Sequence, residues 1–394
     1  MKRIKDIPGL IIASELFIAI ALSLLLFNHE QGRESLAENR ILASFPEIKT
    51  ESGEISPSLS ADLAAWFEDN LGLRDAYLTL SGILNYNLLH RSKTSKVETG
   101  KNGFLYLSDE GNLSMGVSRS QDFIEKLPEY AARQQMISDS LKEQSVDYVF
   151  FICPGKPSVY PEYIASSDHQ AEDTIGDAIY DRLISDTDVN VYWPKADLVA
   201  AKDNPDGELI YLKTDTHWTT YGRNIAYRGL IERLNEWGIS DTSPARVRFY
   251  VSDDPYVGDL SNMMGPVTWS GKRLAEDSFT DWETVAPKAE VLQQGEKYDA
   301  FRKLLDEKKT YNPELCVMYH NEAAEKKNVL IFGDSMVGIC LLPQLAECFS
   351  DMTFVWSYNI DQDYIDLVKP DIVISEFGER ELPLRLDIKE ELSE

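Results

Sequence analysis

The stretch NVLIFGDSMVGICL, residues 328–341, decides the architecture. Residues 329–333 form an apolar run that ends in glycine, Asp334 and Ser335 follow, and a helix-like pattern begins. An apolar run of that length closed by a tight turn and a helix start reads as a buried parallel strand feeding a helix. Ser335 therefore falls at the C-terminal edge of a sheet, where ligands bind in open α/β folds. Asp334 is placed to cap the helix.

Outward from this stretch the pattern repeats. VDYVFFIC, residues 146–153, is a second buried strand, ending in the loop Pro154-Gly155-Lys156-Pro157. Short strands are expected at 189–193, 352–357 and 371–376, with amphipathic helices at 121–144 and 173–185. Strands alternating with helices at this spacing predict an α/β fold, a parallel sheet covered by helices on both faces. KNGFLYL, residues 101–107, reads as an Asn102-Gly103 turn leading into a strand. Residues 240–327 are less regular and read as an insertion, with a few strands and a helix near 297–308.

The chain has 394 residues, 43% of them hydrophobic, enough for a sizeable core. Its 66 acidic and 39 basic residues give a net charge of −27. That balance disfavours binding along a nucleic-acid phosphate backbone. Cys153, Cys316, Cys340 and Cys348 show no CxxC spacing and give no zinc signal; they read as buried thiols, with Cys340 and Cys348 on one helix face, and one or two disulfides are the alternative outside the cytoplasm.

Residues 9–27 form an apolar run interrupted only by Glu15, preceded by Lys2, Arg3 and Lys5. About 20 such residues span a bilayer, and the basic flank orients the N-terminus to the cytoplasm. An uncleaved signal-anchor is expected, with a cleaved signal peptide as the alternative. The expected organisation is a cytoplasmic tip and transmembrane helix over 1–28, a juxtamembrane linker and helical segment over 29–95, and a catalytic domain over 96–394. The helices of the middle segment are expected from residue 58 and over 74–89.

The chemistry lies in LIYLKTDTHWTTYG, residues 209–222. Thr219 or Thr220 caps a helix running to about residue 237, and Asp215 and His217 lie in the turn just before it. A serine hydroxyl needs a base to take its proton and a third group to hold that base. In an extended Asp-x-His both side chains point the same way. Asp215 can then orient His217, and His217 can activate Ser335, whose N–H and following turn supply an oxyanion site. Gly-Asp-Ser alone fits a simple helix cap, and a lone histidine is more often structural. The other histidines lack such a partner, apart from His169 beside Asp168 on a polar loop.

In order along the chain, GKNGFLYL, CPGKPSVYPEYI, YLKTDTHWTTYG, GDL, LIFGDSMVG and KPDIVISEFGER resemble the SGNH-hydrolase-like acetyltransferases of the alginate O-acetylation type and the related membrane-anchored DHHW proteins. The tetrad here is Asp-Thr-His-Trp, as in the first group. The resemblance implies an SGNH-type α/β/α sandwich and a Ser335–His217–Asp215 triad. It further implies an acetyl-serine intermediate and transfer to a polysaccharide hydroxyl outside the cell membrane, with a membrane-bound O-acyltransferase as acetyl supplier and no metal or soluble cofactor. A carbohydrate esterase with the same triad and a non-catalytic envelope scaffold are the alternatives.

Lys156 and Tyr160 are candidates to line the site from their loop, against a packing role. Trp218 is a candidate sugar-stacking wall, against a buried anchor. Glu379 and Arg380 read as a structural ion pair, with substrate contact by Arg380 second.

Overall fold

The computed structural model describes residues 7–30, 32–35, 40–50, 52–108, 121–165, 173–252, 254–276 and 279–386. Lys2, Arg3 and Lys5, and the Asp168–His169 pair, lie outside the described residues. The main sheet has seven strands, numbered here β1 (Asp147–Cys153), β2 (Asn190–Tyr192), β3 (Glu290–Val291), β4 (Val317–His320), β5 (Glu325–Gly333), β6 (Phe349–Trp356) and β7 (Ile372–Gly378). Their spatial order is β2-β1-β7-β5-β6-β4-β3.

The first five positions are parallel; Ile331 of β5 lies opposite Ile374 of β7 and Phe354 of β6. The last two, β4 and β3, join antiparallel. The sheet is therefore mixed, not wholly parallel as expected. Only residues 321–324 separate β4 from β5. So short a link reverses the chain, whereas a parallel return needs a crossover of about a dozen residues. Both edge strands come from the stretch read as an insertion. The rest of that stretch holds the hairpin Val247–Ser252/Phe279–Thr284, a short helix Asp259–Met264 and the expected helix, Glu296–Lys308.

Side chains alternate across the sheet, so each strand feeds two cores. Val149, Phe151, Val329, Ile331 and Ile374 pack on one face with Leu230 and Ile231 of the helix Thr220–Glu236. Phe150, Ile152, Leu330, Phe332 and Val373 pack on the other with Leu127, Ile179, Phe301 and Tyr364 from four further helices. This is the three-layered α/β sandwich the alternation predicted.

Two local expectations change. The helix after Ser335 is split into Ser335–Gly338 and Leu342–Ala346. Pro343 has no N–H to continue the ladder. Cys340 and Cys348 therefore do not share a helix, although all four cysteines are buried and free.

The apolar N-terminal run is a helix, Ile7–Leu25, with Leu10, Phe17 and Leu25 exposed. Its end meets the body where the Phe27 ring lies 5.2 Å from Trp66 of the helix Leu59–Asn70. Tyr77 of the helix Arg74–Leu89 reaches the Ala19 carbonyl at 3.4 Å. Among the described residues no helix is long and apolar enough to cross a membrane.

Candidate active site

Ser335 stands where β5 ends. Asp334 caps the turn, accepting the Met336 N–H at 2.8 Å through Oδ1. Its Oδ2 accepts the Gly378 N–H at 3.0 Å, stitching the carboxyl ends of neighbouring strands β5 and β7 together. Ser335 is 9% exposed. The Met336 N–H, expected to face an oxyanion, is thus committed to Asp334, which leaves the Ser335 N–H as the donor from this turn.

Asp215 and His217 sit in a tight turn closed by the Tyr211–Trp218 bridge. Thr219 then caps the following helix, accepting the Gly222 N–H at 3.1 Å. The pair lies in the turn expected before the helix, and the two side chains meet through that turn rather than along an extended backbone. Asp215 Oδ1 accepts the His217 backbone N–H at 2.9 Å, the two-residue reach of an Asx turn. The same oxygen accepts Nδ1–H of the ring at 2.6 Å. A carboxylate at Nδ1 assigns the proton there and leaves Nε2 with its lone pair. Nε2 is buried and has no hydrogen-bond partner among the described residues. No hydrogen bond joins it to Ser335 in the structure.

Two residues with no assigned role in the sequence complete the arrangement. The Tyr256 hydroxyl donates to Asp215 Oδ2 at 2.7 Å and the Asp259 N–H donates at 2.9 Å. Burial pushes the Asp215 carboxyl up, but the His217 ring, Tyr256 and the Asp259 N–H outweigh it and hold the group below its ordinary value. The Asp259 carboxylate accepts the Thr216 N–H at 2.8 Å and the Thr216 hydroxyl. The sequence signal was the GDL segment, residues 258–260, which carries no chemistry by its pattern alone.

Asp215, His217 and Asp259 offer one ligand atom each within 4.8 Å of one another, close enough to hold a cation. Asp215 already accepts four hydrogen bonds, which suits an orienting carboxylate better than a metal ligand.

A cavity of about 400 Å³ opens beside the two turns, touching Thr216 and Met336, the chain neighbours of His217 and Ser335. Lys156 and Arg380 line it. The Lys156 ammonium donates to the carbonyls of Leu105 at 2.8 Å and Lys213 at 3.1 Å, and burial brings its pKa down to about 7. It ties the Leu105–Leu107 strand to the Asp215 loop.

Arg380 pairs with Glu381 at 3.1 Å, not with Glu379. Glu379 instead accepts the N–H groups of Gly155 and Gly176 and the Ser158 hydroxyl, pinning the loop after β1. Tyr160 is turned inward, its hydroxyl accepting the Ile210 N–H at 2.9 Å, and does not reach the cavity. Trp218 is fully buried in the core and has no face for a sugar. These two corrections share one cause: both rings complete the packing around the loops that carry the site.

A layered, mostly parallel sheet with an Asp–His pair and a serine turn beside one cavity defines an SGNH-hydrolase-like protein. Residues 97–315 match the family model described as SGNH hydrolase-like domain, acetyltransferase AlgX, and the chain belongs to that family. It is 23% identical over 315 residues to a probable alginate O-acetylase AlgJ of Pseudomonas putida, covering 77% of this chain and 74% of that one. It is 25% identical over 357 residues to the probable alginate O-acetylase AlgJ of Azotobacter vinelandii, covering 85% and 83%. The fold is shared with the structure of Bacillus cereus PatB1, at a TM-score of 0.52 and 15% identity over 73% of this chain and 96% of that one.

Proposed function

We propose that the chain is an extracytoplasmic O-acetyltransferase that moves an acetyl group onto hydroxyls of a cell-envelope or exported polysaccharide. The observation that carries this reading is His217, with Nδ1 held by a carboxylate and a buried Nε2 left without a partner. The family's acetyltransferase description and the alginate O-acetylase relatives support the reaction and the acceptor class.

In this reading His217 Nε2 takes the Ser335 proton as Oγ attacks the carbonyl carbon of an acetyl ester. The carbonyl oxygen becomes an oxyanion beside the Ser335 N–H. As the tetrahedral centre collapses, the leaving alcohol takes the proton back from His217, and acetyl remains on Ser335. A sugar hydroxyl then gives its proton to His217 and attacks the acetyl carbon. Release of Ser335, reprotonated by His217, completes the transfer. Asp215 keeps Nδ1 protonated and stabilises the imidazolium.

In this reading the apolar run of residues 9–27 ties the chain to the cell membrane, with the N-terminus cytoplasmic and the catalytic domain outside. Its exposed apolar side chains support that role. A membrane-bound O-acyltransferase then supplies the acetyl group from the cytoplasmic pool.

The test is turnover of an acetyl ester with and without an added oligosaccharide. Acetylated oligosaccharide is expected, and it is lost in Ser335→Ala. Rapid hydrolysis with no transfer product would assign the chain to the esterases instead. Protease added outside spheroplasts should digest the catalytic domain; protection of that domain overturns its placement.

A further inference from the structure

Beneath the Ser335 turn lies a carboxyl group that the reaction scheme does not use. Glu376 is on β7, next to β5, and is fully buried. Its Oε2 accepts the Asp334 N–H at 3.0 Å. A Cβ on Gly333 would stand 2.5 Å from that oxygen, so the strand end is shaped around the carboxyl. The Val337 N–H and the Cys153 thiol also face the buried carboxyl.

The donors that favour a charge on Glu376, the Asp334 and Val337 N–H groups and the Cys153 thiol, are all neutral. Asp334, at the end of β5, is a second carboxyl whose oxygens take the Met336 and Gly378 N–H groups. Cys153, at the end of β1, Cys340, after the short helix, and Tyr358, after β6, contribute no positive charge. Arg380 is paired with Glu381 and faces Asp334 rather than Glu376. Two carboxyls sharing a dry site do not both ionise readily. Burial first, and Asp334 second, push the Glu376 carboxyl well above its ordinary value.

We propose that Glu376 is a positioning residue that works as a neutral carboxylic acid, holding the Asp334–Ser335 turn in shape, and that its ionisation sets an alkaline limit on the reaction. The proposal rests on the reading of Ser335 as nucleophile. A neutral acid accepts the Asp334 N–H without adding charge below the place where the oxyanion forms. An ionised Glu376 would repel both Asp334 and that developing charge, loosening the bonds that set the turn.

The test compares pH profiles of acetyl-ester turnover for the wild type, Glu376→Gln and Ser335→Ala. Gln keeps the acceptor oxygen and cannot ionise. Glu376→Gln is expected to retain most of the wild-type kcat and to lose the alkaline fall in rate. Its Tm should also rise relative to the wild type as pH increases, because the folded wild type keeps a proton that the unfolded chain releases. Superimposable profiles for wild type and Glu376→Gln, with Ser335→Ala inactive, overturn the proposal alone. Full activity in Ser335→Ala overturns the nucleophile reading and the proposal with it. If Glu376→Gln does not fold, infrared spectra of the wild type decide: a protonated-carboxyl band persisting at neutral pH supports the proposal, and its absence overturns it.

Discussion

Asp215 holds His217 twice through one oxygen: Oδ1 accepts the ring Nδ1–H at 2.6 Å and the His217 backbone N–H at 2.9 Å. The second bond fixes the turn and the first fixes the ring, so one carboxylate sets both the position and the tautomer of the base. Asp215→Asn should keep the turn and lose the tautomer. The expected result is a drop in kcat of about 10⁴-fold, smaller than that of Ser335→Ala, with little change in KM. Steady-state kinetics on an acetyl ester check it, and near-wild-type kcat in Asp215→Asn would refute the orienting role.

Tyr256→Phe removes one of the donors that hold Asp215 ionised. A hydrogen bond to a charged group contributes about 1.5–3 kcal/mol. Asp215 has a depressed folded pKa, so its contribution to stability is present above the unfolded value of about 3.9 and is lost as pH falls through the folded value. With a donor gone the folded value rises, so the contribution above about 3.9 is smaller and is fully lost by a higher pH. Acid unfolding of Tyr256→Phe should therefore have its midpoint at higher pH than the wild type.

Gly258→Ala tests the close approach of the 256–259 segment to the Asp215 loop. A Cβ there would run into the carbonyl of Thr214, which is backbone and has little room to move. A cost of about 1–3 kcal/mol is expected from overpacking, together with reduced kcat as the Tyr256 and Asp259 donors are displaced. Denaturant melts and kinetics on the same variant check both, and an unchanged kcat would show that the clamp is dispensable.

Lys156→Met tests a buried ammonium whose pKa is pulled down to about 7 by burial. Between that value and about 10.4, the unfolded chain keeps a proton that the folded chain has released. Stability therefore rises with pH across this window through Lys156. Lys156→Met should flatten that rise, read as Tm against pH; an unchanged slope would assign it to other groups.

Much of the fold was legible because residues 148–153 and 329–333 are continuous apolar runs, and burial on both faces demands that pattern. The Thr219 cap and the Asp334 cap were legible because capping is local chemistry. A few strands were expected in the insertion, but the antiparallel joining of β3 and β4 to the main sheet was not legible, since both are short and their partners are remote in sequence. Tyr160 and Trp218 were open between packing and binding, because an aromatic side chain suits either until its neighbours are known. Arg380 was paired in expectation with Glu379, yet Glu379 is consumed by loop N–H groups and Arg380 turns to Glu381.

By itself the sequence determined the alternation of strand and helix, the serine at the end of β5, and an aspartate two residues before a histidine in a turn. These are local patterns written in neighbouring residues. Only the tertiary structure decided that Tyr256 and Asp259 support Asp215 from some forty residues away, and that Glu376 lies buried beneath Asp334. Hydrogen bonds and desolvation depend on which groups meet in space, and that meeting is set by sheet order and loop packing, not by spacing along the chain.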